Sequence, residues 1–444
     1  MTLHPMLRAA ITAALLVIYG VAPANAEGAS PALAGTLPSG VSYQLLPDPS
    51  QPAAAIALWY RAPSSGFSGT PIAGLSRLAA ATVAGSAPIT GTPLGRLVQG
   101  FGGKLTVAAY PDSVSVIALV PPDKVNQTVR ALTADFFAPV TTQAGLQMAQ
   151  RDVGEDALYR SYDPEDAVED ALGSALFSAG PLHDGVLGTP DGYRGATLDQ
   201  VRAFAERAFR PANAILVLSG NVDASVLGSI ATRDGSQPGS EQPIVEARHV
   251  DPAPLTRAGH AGGIGLGWVG PPIADESAAT AMDFIADALF APDTGLVQKA
   301  IGTHKATVSG RFVTFHDPGV FLVTISGPDA AAVRPIVEHA LADAAKPMPA
   351  AAFAAARAGF VYRVMADMET PVETAETLGW YAVEGNAAYA PSGTRSRYFA
   401  AAGALTPGGV AATVAHYLGT APAVVMLTEQ PQTPTGSNGD KKRT

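Results

Sequence analysis

Alternating hydrophobic and polar positions mark short strands along the chain, and longer patterns with a period of 3.6 residues mark the helices between them. Near the start, "VSYQLLPD" and "AAAIALWYRAP" are strand-like and predict a hairpin-like opening pair. Farther on, "LVQGFGGKLTVAAYPDSVSVIALVPP" predicts a short helix and two strands, and "DKVNQTVRALTADFF" predicts the next helix. The pattern therefore predicts an α+β fold, a sandwich in which helices cover one face of a mixed sheet.

The same pattern returns about 200 residues later, which is the length of one module. The stretch that begins at Leu97 has a counterpart from Leu296, "LVQKAIGTHKATVSGRFVTFHDPGVFLVTISGP". Tyr159 and Tyr362 precede comparable helices, and "TLDQVRAFAERAFRPANAILVLSG" is matched by "TPGGVAATVAHYLGTAPAVVMLTE". Three matches in the same order predict two tandem duplicated α/β-sandwich modules.

Composition divides the chain into five parts. These are a signal peptide (1–26), an N-terminal module (27–235), a linker (236–258), a C-terminal module (259–428) and a disordered tail (429–444). The first part has a positive residue, a short apolar run and Ala24-Asn25-Ala26, which is the pattern of a cleavage site. A membrane anchor would need about 20 apolar residues. We therefore expect an exported protein, and the Ala-rich composition favours a bacterial periplasm.

Charge and cysteine content exclude several functions. The formal net charge is −10 and no basic stripe is present, so a nucleic-acid partner is not expected. The chain has no cysteine, which excludes disulfides, thiolate metal sites and a cysteine nucleophile. After loss of the signal peptide no stable membrane span is expected either.

Other candidate sites fail on spacing or context. No two histidines stand three to five residues apart, so no helical metal pair is predicted; those of the mature chain are His183, His249, His260, His304, His316, His339 and His416. "GLGWVG" from Gly265 matches a dinucleotide fingerprint, but two prolines follow it and the repeat places it on a strand. Trp59 and Trp268 hold comparable places on the opening strands, and we interpret them as core or interface residues.

The chain resembles the pitrilysin/insulinase-type zinc metallopeptidases, which include the mitochondrial processing peptidases and the core proteins of the cytochrome bc1 complex. The resemblance is carried by "LPSGVSYQLLPDPSQPAAAIALWYRAPSSG", "GLSRLAAATVAGSA" and "PLHDGVLGTPDGYRGATLDQVRAFAERAFRPANAILVLSGNVD". It covers most of residues 36–430 and is more specific in the first half. It implies two related α+β modules that help to enclose a chamber for extended peptides.

The resemblance also implies a His-x-x-Glu-His motif on the helix after the second strand. Aligned from Gly74, Arg77 stands at the first histidine, Ala80 at the general base and Ala81 at the second histidine. A guanidinium and two methyl groups cannot bind zinc. The segment of the last ligand matches "RDVGEDALYRSYDPED", where Glu155 is a vestigial metal candidate. We therefore expect no catalytic residue, no metal ligand set and no cofactor here, with zinc present only through a catalytic partner subunit.

The family's active members, or their partner chains, use an arginine and a tyrosine of the second module to hold the substrate carbonyl. In this sequence Ile301 lies near the arginine position, and Ala306 or Thr307 lies near the tyrosine position. This pair is therefore also expected to be missing.

Three functions remain open. The first is a non-catalytic homologue that is the partner subunit, in a heterodimer, of a zinc metallopeptidase acting on peptides in the periplasm. The second is a stand-alone peptide-binding or scaffold protein without a peptidase partner. The third is a hydrolase of an unrecognised kind; the family's own activity would be that of a zinc metalloendopeptidase, but its motif is absent.

Overall fold

The computed structural model describes residues 32–64, 72–86, 91–231, 254–392 and 396–429. The predicted signal peptide, most of the predicted linker and nearly all of the predicted tail lie outside these residues.

Two mixed β-sheets form the framework. The strands are β1 (Leu33–Thr36), β2 (Ser42–Pro47), β3 (Ala54–Arg61), β4 (Lys104–Ala109), β5 (Ser113–Val120), β6 (Ala214–Gly220), β7 (Leu255–Gly259), β8 (Gly263–Val269), β9 (Thr307–Val313), β10 (Val320–Ser326) and β11 (Ala423–Glu429). Sheet 1 has the order β1-β2-β6-β3-β5-β4, and sheet 2 has the order β7-β11-β8-β10-β9. The mixed α+β fold is confirmed.

Helices connect the strands and cover the sheets. In the first half they are α1 (Leu75–Ser86), α2 (Leu94–Gly100), α3 (Val125–Phe137), α4 (Gln143–Tyr162), α5 (Pro164–Leu176), α6 (Pro181–Asp184), α7 (Pro190–Gly195) and α8 (Leu198–Ala208). In the second they are α9 (Glu276–Phe290), α10 (Leu296–Ile301), α11 (Ala330–Ala344), α12 (Ala350–Ala366), α13 (Pro371–Val383), α14 (Arg397–Ala404) and α15 (Pro407–Leu418). Three short 3₁₀ turns complete the list, at Pro122–Lys124, Pro211–Asn213 and Ala224–Ser229.

Strands β2 and β3 are not a hairpin, contrary to the prediction. Strand β6 lies between them, parallel to β2 and antiparallel to β3. The reason is that β6 is almost wholly buried and bonds to both strands, so it takes the central place although it comes 150 residues later in the chain. Sheet 2 repeats this arrangement, with β11 parallel to β7 and antiparallel to β8. A common origin of the two halves stays a prediction.

Part of the predicted linker belongs to sheet 2. Residues 255–258, which composition assigns to the linker, form most of β7 and pair with β11 from Leu255↔Val425 onward. Leu255 packs against the apolar cluster on the outer face of the sheet. Backbone pairing at this edge overrides the polar composition of the segment.

Each half builds one large core between its own sheet and its own helices. In the first half Ile56, Leu58 and Tyr60 of β3 point into this core, together with most of α1. In the second half Ile264, Leu266 and Trp268 of β8 do the same against α9. Because side chains alternate across a strand, the residues between them point to the outer faces of the sheets.

Each outer face is covered by a helix from the other half. Helix α5 of the first half packs on sheet 2, where Val168, Leu172 and Leu176 meet residues of β10 and β11. Helix α13 of the second half packs on sheet 1, where Ala375 and Leu378 meet Trp59 and its neighbours. The expectation that helices cover one face only was therefore incomplete, since both faces of each sheet are buried.

The predicted equivalence of Trp59 and Trp268 is wrong. Trp59 points to the outer face of sheet 1, whereas Trp268 points into the inner core of the second half and donates its Nε1 hydrogen to Thr420 O at 2.9 Å. Both are buried, as expected of core or interface residues. A one-residue difference in register reverses the face of a strand residue, and a sequence alignment cannot detect it.

Within the described residues, no single helix is long and apolar enough to cross a bilayer. Helices α14 and α15 satisfy the criteria only as a pair, and they are bent by 101° relative to each other.

Candidate functional site

Helix α1 is where the resemblance places the peptidase motif, and neighbouring segments fix its position. Gly74, directly before the helix, has a φ of +81°, and a Cβ at this position would lie 2.0 Å from the carbonyl oxygen of Leu187. At the other end, a Cβ on Gly145 of α4 would lie 2.3 Å from Ser86 Oγ. Glycine is required at both places so that the backbones can approach each other. The helix to which the resemblance assigns the peptidase motif is thus tightly packed against its neighbours.

The side chains at the three motif positions form an ion pair and an apolar surface. Arg77 is almost fully buried, and its Nη2 donates to Asp156 Oδ2 of α4 at 2.7 Å. Ala80 is fully buried in the core of the first half, and Ala81 packs against that core. The guanidinium therefore links α1 to α4, with a carboxylate on the facing helix as its counter-ion.

The carboxylate that meets Arg77 is Asp156, which the sequence analysis did not single out. The residue it did single out, Glu155, is exposed on α4. The spacing of apolar residues along α4 could have identified Asp156. Ala149 and Val153 are buried on the face of α4 that meets the core, and Asp156 lies one turn beyond Val153 on that face. A spacing taken from the family could not distinguish two adjacent acidic residues.

The Arg77–Asp156 pair is a structural contact of moderate strength. Breaking a buried pair costs about 3–5 kcal/mol, but the Asp156 side chain is 46% exposed, so the cost here is smaller. Among the described residues nothing accepts a hydrogen bond from Arg77 Nη1, which is buried. Loss of Asp156 would therefore leave the guanidinium without a counter-ion among the residues that the structure describes.

The residues at this place do not fit a zinc ion. A zinc site needs three or four nitrogen, oxygen or sulfur donors around one point. Here the side chain that meets Arg77 is Asp156, and its carboxylate is occupied by a permanent cation. Across the described ranges, no group of three or more His, Asp or Glu side chains is arranged to hold a metal.

The second-half positions also lack the chemistry that the resemblance implies. Ile301 ends α10 and is buried, and Thr307 begins β9. Neither Ile301 nor Ala306 carries a donor group, and the one polar side chain of α10 that bonds to β9 is Gln298, whose Nε2 donates to Val308 O at 2.7 Å. No side chain at these positions can hold a developing oxyanion as a guanidinium or a phenol would.

A large cavity lies between the two halves and is a second candidate site. This central cavity has a volume of about 900 Å3. Its aromatic wall combines Trp59 and Tyr110 of the first half with Trp380 of α13, and its other side is formed by α9, α12 and strand β9. The Trp59 and Tyr110 rings stack at 5.4 Å, and Tyr110 meets the edge of Trp380 at 4.7 Å.

The charged side chains around the central cavity are mainly acidic. They are Asp283, Asp287, Asp293, Asp367, Glu376, Arg311 and Arg363. Arg363 forms a two-pronged ion pair with Asp287, and Arg311 binds Glu165 and Glu169 of α5. Both cations are therefore neutralised by partners, and the remaining carboxyl groups give the cavity a negative excess.

Burial raises the pKa of three of these carboxyl groups, Asp283, Glu376 and Asp367. Asp283 is partly buried, and desolvation raises its pKa from 3.8 to about 7 although the hydroxyl of Tyr398 donates to it at 3.0 Å. Desolvation, and secondarily the neighbouring Glu373, raises the pKa of Glu376. Desolvation also raises the pKa of Asp367, and the guanidinium of Arg363 offsets part of this effect.

Comparisons with known proteins agree with the architecture. Residues 195–360 match the sequence model of the peptidase M16 inactive domain. Over 75 residues the chain is 36% identical to an uncharacterized zinc protease of Mycobacterium leprae, a match that spans 17% of this chain and 17% of that relative. Thus only a small part of the curated relative is covered.

Solved structures extend the similarity to nearly the whole chain. A protease from Helicobacter pylori superposes with a TM-score of 0.78 at 15% identity, covering 90% of this chain and 99% of that one. A peptidase M16 inactive domain from Pseudomonas fluorescens gives 0.73 at 15% identity, covering 91% and 100%. At such identities the likeness concerns the fold, and it is the matched segment 195–360 that adds sequence support. Residues 195–360 thus match the peptidase M16 inactive domain, and the fold of the chain as a whole is similar to that of solved M16-type structures.

Proposed function

We propose that this protein is the non-catalytic subunit of a periplasmic M16 peptidase, and that a zinc-bearing homologue supplies the chemistry. The observation that supports this most directly is the Arg77–Asp156 pair at 2.7 Å, on the tightly packed helix to which the resemblance assigns the zinc motif. A chain that keeps the fold but cannot bind zinc can still shape a chamber, exclude water and position an extended peptide.

The proposal predicts a stable complex. The mature chain is to be co-expressed with the His-x-x-Glu-His homologue encoded nearest to it and purified through a tag on one chain. We expect both chains to elute together, and we expect the pair to hydrolyse a mixed peptide library in a zinc-dependent manner. This chain alone is expected to carry no stoichiometric zinc, which mass spectrometry of the metal content measures.

Two results would refute the partner role. One is a mature chain that elutes alone when the homologue is present in excess. The other is peptide hydrolysis by this chain after purification to homogeneity and treatment with a chelator, which would support the third reading, an unrecognised hydrolase.

A stand-alone peptide-binding protein is the second candidate. It is favoured by the residues at 301 and 306–307, because a complementary subunit would be expected to supply the arginine and tyrosine that are missing there. The central cavity provides a binding volume that needs no partner. A lone monomer or homodimer with measurable peptide affinity, and no complex with the homologue, would support this candidate.

A further inference from the structure

The central cavity has chemistry that the peptidase fold does not require. It is lined on one side by the rings of Tyr110 and Trp380, against which the buried Trp59 packs, and its carboxyl groups outnumber its guanidinium groups by five to two. Aromatic faces attract cations through their quadrupole, and carboxylates attract them through charge. A ligand side chain with an apolar stem and a positively charged end therefore matches both the aromatic rings and the carboxyl groups of the cavity.

One end of the cavity combines a carboxylate with aromatic rings. Glu376 and Trp380 stand four residues apart on α13 and so lie on the same face of that helix. Glu376 is close enough to Tyr110 to contribute to raising the pKa of that phenol, after the larger effect of desolvation. Trp380 is held in place because its Nε1 donates to Thr314 O at 2.9 Å. Among the described residues, no cation pairs with Glu376.

The cavity also contains a partly buried carboxyl group, that of Asp283. Tyr398 is the one described side chain that donates a hydrogen bond to Asp283, and it reaches only Oδ2. The remaining groups that face it are the phenols of Tyr381 and Tyr389. Asp287, one turn along α9, is already paired with Arg363. A partly buried carboxyl with one hydrogen bond and no cation is a costly arrangement unless a ligand completes it.

We propose that the central cavity binds the lysine or arginine side chain of a peptide, with Glu376 as counter-ion over the Tyr110 and Trp380 rings and Asp283 as a second acceptor deeper in the cavity. The choice of a peptide rests on the proposed function. The choice of a positively charged ligand rests only on the aromatic and acidic lining of the cavity. The proposed function and the proposed cation site can therefore be refuted separately.

The test uses the mature full-length chain without a partner. Two blocked hexapeptides that differ at one position, lysine or norleucine, are titrated by calorimetry, with the arginine and citrulline pair as a second set. Tryptophan emission is a parallel readout, because Trp380 lines the cavity, Trp59 packs against it and the chain has three tryptophans. We expect the cationic peptides to bind about tenfold more tightly than their neutral analogues.

Substitutions locate the site. Glu376→Gln is expected to weaken the lysine peptide about tenfold and to leave the norleucine peptide unchanged. The matched control is Glu206→Gln, which removes an exposed carboxylate of α8 outside the cavity and is expected to change neither. Asp367→Asn is a second variant, because Asp367 lines the cavity at an exposed position outside α13. A weaker affinity of this variant for the lysine peptide could not be caused by disturbed packing of α13.

The pH dependence separates a binding role of Asp283 from a structural one. Its pKa of about 7 means that the carboxylate forms between about pH 6 and pH 8, so affinity for the lysine peptide should rise over this interval. Asp283→Asn keeps an acceptor for Tyr398 and should remove the rise. A variant that lost only stability would shift the unfolding midpoint but leave the slope of affinity against pH unchanged.

Several outcomes would overturn the inference. Equal binding of lysine and norleucine peptides, or unchanged binding by both Glu376→Gln and Asp367→Asn, would exclude a cation site. If spermidine bound more tightly than every lysine peptide, the ligand of the cavity would be a free polyamine and not a peptide. A stable complex with the zinc-bearing homologue, together with no cation selectivity, would leave the proposed function standing and this inference refuted.

Discussion

The two helices that cross between the halves achieve the same burial with opposite distributions of side-chain volume. On sheet 1 the large residue belongs to the strand: Trp59 packs against Gly379 of α13. On sheet 2 the large residues belong to the helix, where Val168 and Leu172 of α5 pack over Gly265 of β8. A glycine is needed at each contact, but on different partners. The two interfaces therefore bury comparable surfaces with different residues at the contact.

Removal of the large strand residue should have the largest effect. Trp59→Ala is expected to lower the free energy of unfolding by about 3–5 kcal/mol, because it leaves a cavity under α13 that the sheet cannot close. Leu172→Ala at the other interface should cost less, since the volume there is divided among three side chains. Guanidinium denaturation of both variants measures this. A larger loss in Leu172→Ala would contradict the described contrast.

The glycine of the first interface comes next. Gly379→Ala would place a Cβ 2.0 Å from Trp59 Nε1, in a fully buried site, and is expected to destabilise by about 1–3 kcal/mol. This opposes the usual gain from alanine in a helix. Gly403→Ala on α14, where nothing lies within 4 Å, is the control and should be neutral or stabilising. A neutral Gly379→Ala would mean that α13 does not rest on the indole.

The glycine of the second interface should be more tolerant. A Cβ on Gly265 would lie 2.5 Å from Val168 Cγ1 and 3.0 Å from Leu172, both side-chain methyl or branch carbons. We expect Gly265→Ala to cost about 1 kcal/mol. Combining it with Val168→Ala should cost less than the sum of the two single changes, as a double-mutant cycle would show. Strict additivity would indicate that the helix and strand do not share this space.

The smallest effect is expected at the rim of the second interface. Arg311 binds Glu165 and Glu169 of α5, but its side chain is 47% exposed. Arg311→Met should cost about 0–1 kcal/mol in dilute buffer and less at high salt, because water and ions screen such pairs. Denaturation at low and high sodium chloride measures the difference. A larger loss that was independent of salt would mean that the ion pairs contribute more than the apolar contact.

Local pattern was enough to predict the kinds of element and the α+β class. The runs around Ile56, Leu58 and Tyr60 have the alternation of a strand with one face in a core, and the structure places them in β3. What the pattern could not give is the neighbour of each strand. Strand β6 separates β2 from β3 because pairing between distant segments is decided by the whole sheet and not by adjacency in the chain.

The candidate site, like the fold, could be predicted only in part from the sequence. Sequence was sufficient to see that Arg77, Ala80 and Ala81 lack zinc donors, because that conclusion needs only the identity of the side chains. It was not sufficient to choose Asp156 over Glu155 as the residue that faces α1, since that depends on the rotation of α4. The carboxyl groups of Asp283 and Glu376 line the same cavity but come from segments nearly a hundred residues apart. No sequence motif predicts that they share a site.

The crossing of α5 and α13 has a consequence for biogenesis. Sheet 1 stays bare on its outer side until residues 371–383 have been synthesised, more than 150 residues after β6. A newly synthesised first half thus presents a strip of alanines and a tryptophan to solvent, a surface that holdase chaperones bind and that aggregates at high concentration. Maturation of this protein should be a late, concerted event rather than a stepwise one, and neither half can be expected to survive as an independent fragment.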